Sequence, residues 1–278
     1  MVVDAFAPFY RAVTAVVDGR VDALRECLDA NPELVAALGR PPHRATLLHY
    51  VAANGVEDAL QRTPDQAVEV CQLLLDRGAV ADALADCDGG GRNQTPLCLL
   101  VSSYHPFARG LQPQLIHTLV DGGAQVDGLD GDGMPLMTAL VFGYTAAARA
   151  LADCGAKVGS LYAAAGLGNL EQVRDCLDRS VFGPFVSPLG AAPPGDRTQA
   201  IQQALHFAVT HGHGEVANLL LDCGADANGR VAGHHCELPL LQAMFVREAS
   251  MARLLVERGA DLDLRDGKRG VSARQFGK

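Results

Sequence analysis

The chain contains no tryptophan, and aromatic residues make up only 5% of its 278 positions. Few large rings are therefore present to wall a deep, rigid pocket. The core has to be assembled from Ala, Leu, Val and Gly, small side chains that suit closely packed helices. Positive charge is scarce as well: 23 Lys and Arg face 32 Asp and Glu, a formal charge of −9, and only Lys157, Lys268 and Lys278 are lysines. Nucleic-acid affinity comes mainly from cations that neutralise phosphates, so no nucleic-acid partner is expected. The preference for Arg over Lys reads as GC-rich bacterial coding. Long apolar runs are also missing; nothing approaches the roughly 20 residues a membrane helix needs. The opening "MVVDAFAPFYRAVTAVVDGR" carries Asp4 where a secretory leader would be basic. No membrane partner and a cytoplasmic location are the expectation.

What is abundant supports a self-sufficient fold. At 49% hydrophobic residues, a chain of this length buries roughly three quarters of its unfolded surface without help from disulfides. Its eight cysteines look like one repeated slot instead. Cys27 in "LRECLD" and Cys176 in "VRDCLD" share neighbours, and Cys154 in "LADCGA" matches Cys223 in "LLDCGA".

Two phrases alternate along the chain. The first occurs as "ATLLHYVAANG" (45–55), "QTPLCLLVSSY" (94–104), "GMPLMTALVFG" (133–143), "GSLYAAAGLG" (159–168), "QALHFAVTHG" (203–212) and "ELPLLQAMFVR" (237–247). The second occurs as "VEVCQLLLDRGAVADA" (68–83), "PQLIHTLVDGGAQVDG" (113–128), "AAARALADCGAKVGS" (146–160), "VANLLLDCGADAN" (216–228) and "MARLLVERGADLD" (251–263). Each is apolar on one side and bounded by helix punctuation, which predicts a helix of two to three turns. Thr95 with Pro96, and Thr63 with Pro64, read as helix starts. Gly78, Gly123, Gly155, Gly224 and Gly259 read as left-handed helix ends. A repeat at this period means units that bury their apolar faces only against one another.

The wording of residues 204–228, with Leu205-His206, Gly212-His213 and Leu-Leu-Asp-Cys-Gly-Ala-Asp-Ala-Asn, resembles the ankyrin repeat, and the looser phrases extend the likeness over nearly the whole chain. "LLHYVAANGVEDALQRTP", "DGGG" and "SSYHP" are similar to uncharacterised bacterial ankyrin-repeat proteins. The resemblance implies an all-α ankyrin-repeat solenoid of about seven stacked helix pairs, with short hairpin-like connections and inserted loops. A single domain over 1–278 is expected: a capping pair at 8–30, repeats at about 42–83, 91–128, 130–160, 161–180, 201–228 and 234–263, an insert at 179–200 and a terminal cap at 264–278.

Several stretches hold residues capable of chemistry, and each has a plainer reading. His206 and His211 lie five positions apart, about 140° around a helix, whereas a shared zinc wants three or four. His206 and His213 fall on slots where the family hydrogen-bonds neighbouring turns; His211 is not called for by the repeat and reads as either a contact residue or a merely solvated one. "GHHCELPL" (233–240) offers His234, His235, Cys236 and Glu237, but neighbours on an extended strand point to opposite faces, so at most two could reach one metal. Ser103, Tyr104 and His105 in "SSYHPF" lack the strained elbow and oxyanion donors of a hydrolase. "CDGGGRNQ" (87–94) lacks the Lys-Ser/Thr ending of a phosphate loop. No metal, cofactor or catalytic residue is expected.

Function is expected in the inner groove that the resemblance implies. Aligning the repeats places His43, Asn54, Arg92, Gln94, Ser103, Tyr104, His105, Phe142, Tyr144, His211, His234, His235, Glu237 and Arg247 along it. Aromatic, His and Arg side chains are concentrated there, as at protein interfaces. The expected role is a non-catalytic adaptor, monomeric on its own, that binds a partner protein. The alternative is a small-molecule-binding protein or enzyme whose pocket the 179–200 insert closes over Tyr104, His105 and His211.

Overall fold

Repeated Thr-Pro and Gly-Ala punctuation cuts the polypeptide into short helices. In the structure, a computed structural model that describes residues 6–87 and 91–276, they form seven helix pairs. The pairs are α1 (Ala7–Val17) with α2 (Val21–Ala30), then α3 (Leu47–Ala52) with α4 (Ala67–Asp76). In the third, α5 (Pro96–Leu100) is followed by an extra turn, α6 (Tyr104–Ala108), before α7 (Gln112–Asp121). The rest are α8 (Met134–Val141) with α9 (Thr145–Asp153), α10 (Leu161–Leu167) with α11 (Leu170–Arg179), α12 (Arg197–Thr210) with α13 (Gly214–Asp222), and α14 (Pro239–Phe245) with α15 (Ala249–Glu257). An antiparallel hairpin of β1 (Ala85–Cys87) and β2 (Gly91–Gln94) joins the second pair to the third.

Local chemistry explains the boundaries. Thr95 Oγ1 accepts the Cys98 N–H at 3.2 Å and Pro96 fills the first helical position, where a missing N–H leaves nothing unsatisfied. The second helices of five pairs end at Gly78, Gly123, Gly155, Gly224 and Gly259, with φ between 89° and 102°. In each case the N–H of the following alanine returns to the carbonyl five residues earlier, as Ala225 does to Leu220 at 3.0 Å. This closes the helix end in the pattern a left-handed glycine allows. Thr63 departs from its expected capping role. The chain makes a further turn through Asp65 and Gln66, with Ala67 N–H bonded to the Pro64 carbonyl at 3.2 Å, so α4 starts later, with Gln66 at the N-cap position and no side-chain cap bond. The Thr63 hydroxyl is left buried without a partner.

Two compact units divide the chain: one runs to Pro135 and adds Arg149–Ala156, the other holds Leu136–Ala148 and continues from Lys157. In the first, α1, α3 and α5 pack side by side as one row, backed by α2, α4 and α7. In the second, α10, α12 and α14 form a row and α11, α13 and α15 line up behind them. Small side chains set the spacing, as their abundance predicts. Ala163, Ala164 and Ala165 are buried in α10, and a β-carbon on Gly166 would stand 2.7 Å from Leu140 Cδ2.

The irregular run after α11 covers 180–196, because Asp196 caps α12 by accepting the Gln199 N–H at 2.8 Å. This run lies against its own unit. The Phe182 carbonyl accepts the Leu161 N–H at 2.9 Å, Phe185 meets the Tyr162 ring edge-on at 5.0 Å, and the Arg197 guanidinium sits 5.7 Å over Phe182.

Two buried histidines at corresponding slots show how neighbouring turns are tied. His49 Nδ1 faces the Thr46 N–H at 3.1 Å and its hydroxyl at 2.8 Å, while Nε2 donates to the Gln94 carbonyl at 3.1 Å. His206 likewise donates from Nε2, to the Cys236 carbonyl at 2.9 Å. Its Nδ1 has no partner. Helix α12 begins two turns before His206, so the N–H of residue 203 is already inside the helix and Gln203 stands where Thr46 caps α3.

Burial lowers both imidazoles to about 4. The unfolded chain therefore takes up protons below pH 6.5 that the fold refuses, and stability drains as pH falls from 6.5 towards 4. Urea denaturation should show this loss, roughly 1.4 kcal/mol per histidine at pH 5.5 relative to pH 7.5. Replacing His49 with Gln should remove its share of the slope.

Candidate recognition surface

In the first unit, most polar residues near the turns are tied to the main chain. His43 is buried, with Nδ1 3.2 Å from the Asp86 carbonyl. Ser103 is buried and its hydroxyl donates to the Ala53 carbonyl at 3.1 Å. Asn54 donates to Ser102 Oγ at 2.8 Å, and the Gln94 carbonyl receives His49. The side chain of Arg92 lies outside the described residues. Tyr104 stands apart at 66% exposure on α6, with the His105 ring 6.2 Å and the exposed Phe107 ring 6.3 Å from it. Three rings of the single turn α6 thus form an aromatic cluster, with Tyr104 and Phe107 facing outward.

Beside α1 and α3 the structure assembles a group that the sequence did not signal. Glu57 accepts the Tyr10 and Tyr50 hydroxyls, each at 2.8 Å, while Arg40 lies 5.1 Å over the Tyr10 ring. Burial alone would raise the Glu57 carboxyl, but its own main-chain N–H and the two phenols outweigh that and hold it below the usual carboxylate value. With both oxygens occupied, it serves as a brace.

In the second unit, the histidine-rich stretch is structural. His211 is buried: Nε2 bonds to the Leu140 carbonyl at 2.8 Å and Nδ1 lies 2.7 Å from Thr145 Oγ1. His213 reaches the Gly166 carbonyl from Nε2 at 3.0 Å. His234 is buried too, its Nε2 facing the Gln203 amide nitrogen at 2.9 Å and its ring 4.5 Å from that of His206. Burial first, then the other histidines and Lys268, hold His234 well below the ordinary imidazole value. Tyr144 is buried with its ring 5.9 Å from half-buried Phe142. Expecting His43, Ser103, Tyr144, His211 and His234 to face a partner is therefore corrected. Their polar atoms or rings fill contacts between neighbouring turns, which repeat alignment alone cannot distinguish from the exposed slot beside them. Among the described residues, no group of three or more His, Cys, Asp or Glu side chains is arranged to hold a metal ion.

A different group faces outward at the last helix pair. His235, half-buried, lies with its ring 4.7 Å from Phe245, and the Arg269 guanidinium stands 4.5 Å over the same ring. Arg269 Nε also donates to the His235 carbonyl at 3.1 Å, Lys268 Nζ to the His234 carbonyl at 2.7 Å, and Arg247 is exposed nearby in the chain, after α14. Burial, then the charges of Lys268 and Arg269, lower His235 and favour a neutral ring. Glu237 is held by Arg230 at 3.0 Å and by the Gly267 N–H at 3.1 Å.

Asp266 anchors this arrangement. Its buried carboxylate accepts four main-chain N–H groups: Glu237 at 2.6 Å and Leu238 at 3.0 Å on one oxygen, Lys268 at 3.0 Å and Arg269 at 2.8 Å on the other. Burial would raise its carboxyl, yet these donors prevail and lower it. Phe245, Asp266, Lys268 and Arg269 escaped the sequence reading. The docking of Lys268 and Arg269 on the preceding hairpin is a tertiary contact with no local signal in the sequence.

Residues 202–230, covering most of α12 and all of α13, match the family model of the ankyrin repeat. Among solved structures, the human ASB11 ankyrin repeat domain is similar at 18% identity with a TM-score of 0.45, over 94% of this chain and 89% of that one. No curated protein matches the sequence.

Replacing Asp266 with Asn should cost about 1–3 kcal/mol at neutral pH, because ionic acceptors of buried N–H groups are lost. Thermal melts should record this. The difference from wild type should shrink as pH drops below 3.8, where the depressed carboxyl's contribution disappears.

Proposed function

We propose that this ankyrin-repeat chain is a non-catalytic binding protein that engages another protein through the side chains its helix stack leaves facing outward. Ankyrin repeats are in general protein-interaction modules. The observation that carries the reading here is a pair of aromatic groups with exposed members: Tyr104 and Phe107 beside half-buried His105 on one unit, and Phe245 and Arg269 beside half-buried His235 on the other. Both sit on short helices or turns fastened by main-chain bonds, so little freedom is lost when a partner binds. Aromatic and Arg side chains in such positions are the usual anchors of protein interfaces.

The inner, hairpin side of each unit is the proposed contact face, and the molecule acts as a monomer until its partner arrives. A cytoplasmic setting belongs to this reading. All eight cysteines are free, as expected where thiols stay reduced, and no described helix is long and apolar enough to cross a membrane. The small-molecule alternative loses its central residue, since His211 is buried between Leu140 and Thr145.

Affinity capture from the source cells tests the proposal. Wild type should retain a specific protein. A variant carrying Tyr104→Ala, Phe107→Ala, Phe245→Ala and Arg269→Ala should lose it while keeping its circular dichroism and its melting point within a few degrees, as surface changes do. Retention of no protein by wild type, with a metabolite co-purifying, would overturn it.

A further inference from the structure

Resting on that reading, we infer that the last helix pair is a docking site for an acidic peptide segment with an apolar side chain at its centre. The charge distribution points there first. Residues 230–276 hold eight Lys and Arg against six Asp and Glu, in a chain of net charge −9. Of these acids, Asp266 is committed to four main-chain N–H groups and Glu237 to Arg230 and Gly267. Asp263 pairs with Arg274 at 2.8 Å, and Glu248 directs its carboxylate at the Gly212 turn of the preceding pair. Arg230, Arg258 and Arg274 are taken up by Glu237, Asp222 and Asp263, which leaves Arg247, Arg253, Arg265, Lys268 and Arg269 against Glu257 and Asp261. Lys268 and Arg269 bond to carbonyl oxygens of the hairpin, which fixes their heads in place without neutralising them. Screening over about 8 Å at physiological salt means that an arriving carboxylate senses these local cations more than the distant acids.

On the same helix pair Arg247 lines an apolar groove of about 510 Å³, together with Met244, Glu248, Ala249, Ala252 and Phe276 among others. It opens at the turn between α14 and α15. Arg247 stands at that turn with φ 63°, a left-handed conformation that a side chain with a β-carbon disfavours. Two residues before their second helices, five other pairs place Gly19, Gly110, Gly143, Gly168 and Gly212 there, with φ from 67° to 76°. An exposed guanidinium thus replaces the residue the backbone prefers, at the rim of the groove. A peptide carboxylate meeting Arg247 and another meeting Arg269 or Lys268 would straddle an aliphatic or aromatic side chain lodged against Met244 and Phe276, with Phe245 as the neighbouring platform.

A peptide array supplies the test. Hexapeptides with Asp or Glu flanking a central Leu, Ile or Phe are compared with matched peptides carrying Asn or Gln, and hits are remeasured in solution by fluorescence anisotropy with the full chain. Acidic peptides should bind, and the double variant Arg247→Glu, Arg269→Glu should weaken them by roughly tenfold or more, since opposed charges replace complementary ones. Raising salt from about 50 to 300 mM should weaken them several-fold. Met244→Lys should weaken them as well, while Tyr104→Ala on the other unit should leave them unchanged. Amide peptides binding as well as acidic ones, indifference to the charge-reversal variant, or concentration-dependent self-association that the same variant abolishes in light scattering would each overturn the site. If the cell-derived partner still depends on Tyr104 and Phe107 while acidic peptides fail, only this site falls and the wider reading stands.

Discussion

Neighbouring turns are held in register by imidazoles that reach across to main-chain carbonyls, and much of the remaining structure depends on that contact. His49 reaches Gln94, His206 reaches Cys236, His211 reaches Leu140 and His213 reaches Gly166. Helix pairs this short bury their apolar faces only against the next pair. Each join therefore needs a polar tie that also satisfies an otherwise orphaned carbonyl. Because the His49 and His206 rings are buried and neutral, those two ties weaken on acidification, and the same burial removes them from any role toward a ligand.

That division between consumed and remaining side chains organises the functional reading. Ser103, His43 and His234 are polar, lie near turns and carry attractive chemistry, yet each is closed off by its neighbours. Tyr104, Phe107, Phe245 and Arg269 are less conspicuous as chemistry, but they remain accessible on a framework that holds them still. An aromatic ring fixed under a guanidinium is a recognition element more than a reactive one.

Asp266 shows how one buried carboxylate shapes a surface. By gathering N–H groups from Glu237 and Leu238 on one side and from Lys268 and Arg269 on the other, it ties the terminal turn to the last hairpin. The two cations are thereby presented beside Phe245. A loop this short and charged would otherwise have little apolar area to order it.

Helix positions were legible because glycine, proline and alternating apolar phrases act within a few residues. Gly224 and Gly259 end helices in sequence and in space for the same steric reason, and Thr95 caps where its pattern says. Thr63 misled because an extra turn of chain, closed by the Ala67 N–H on the Pro64 carbonyl, moved the helix start. His211 and His235 look alike in sequence, each an unneeded histidine near a turn. What separates them is whether a neighbouring carbonyl or an aromatic face comes within reach, and that is set by contacts between residues up to 71 positions apart. Local periodicity by itself determined the helical repeat; only the tertiary stacking decided which side chains it would bury and which it would leave for a partner.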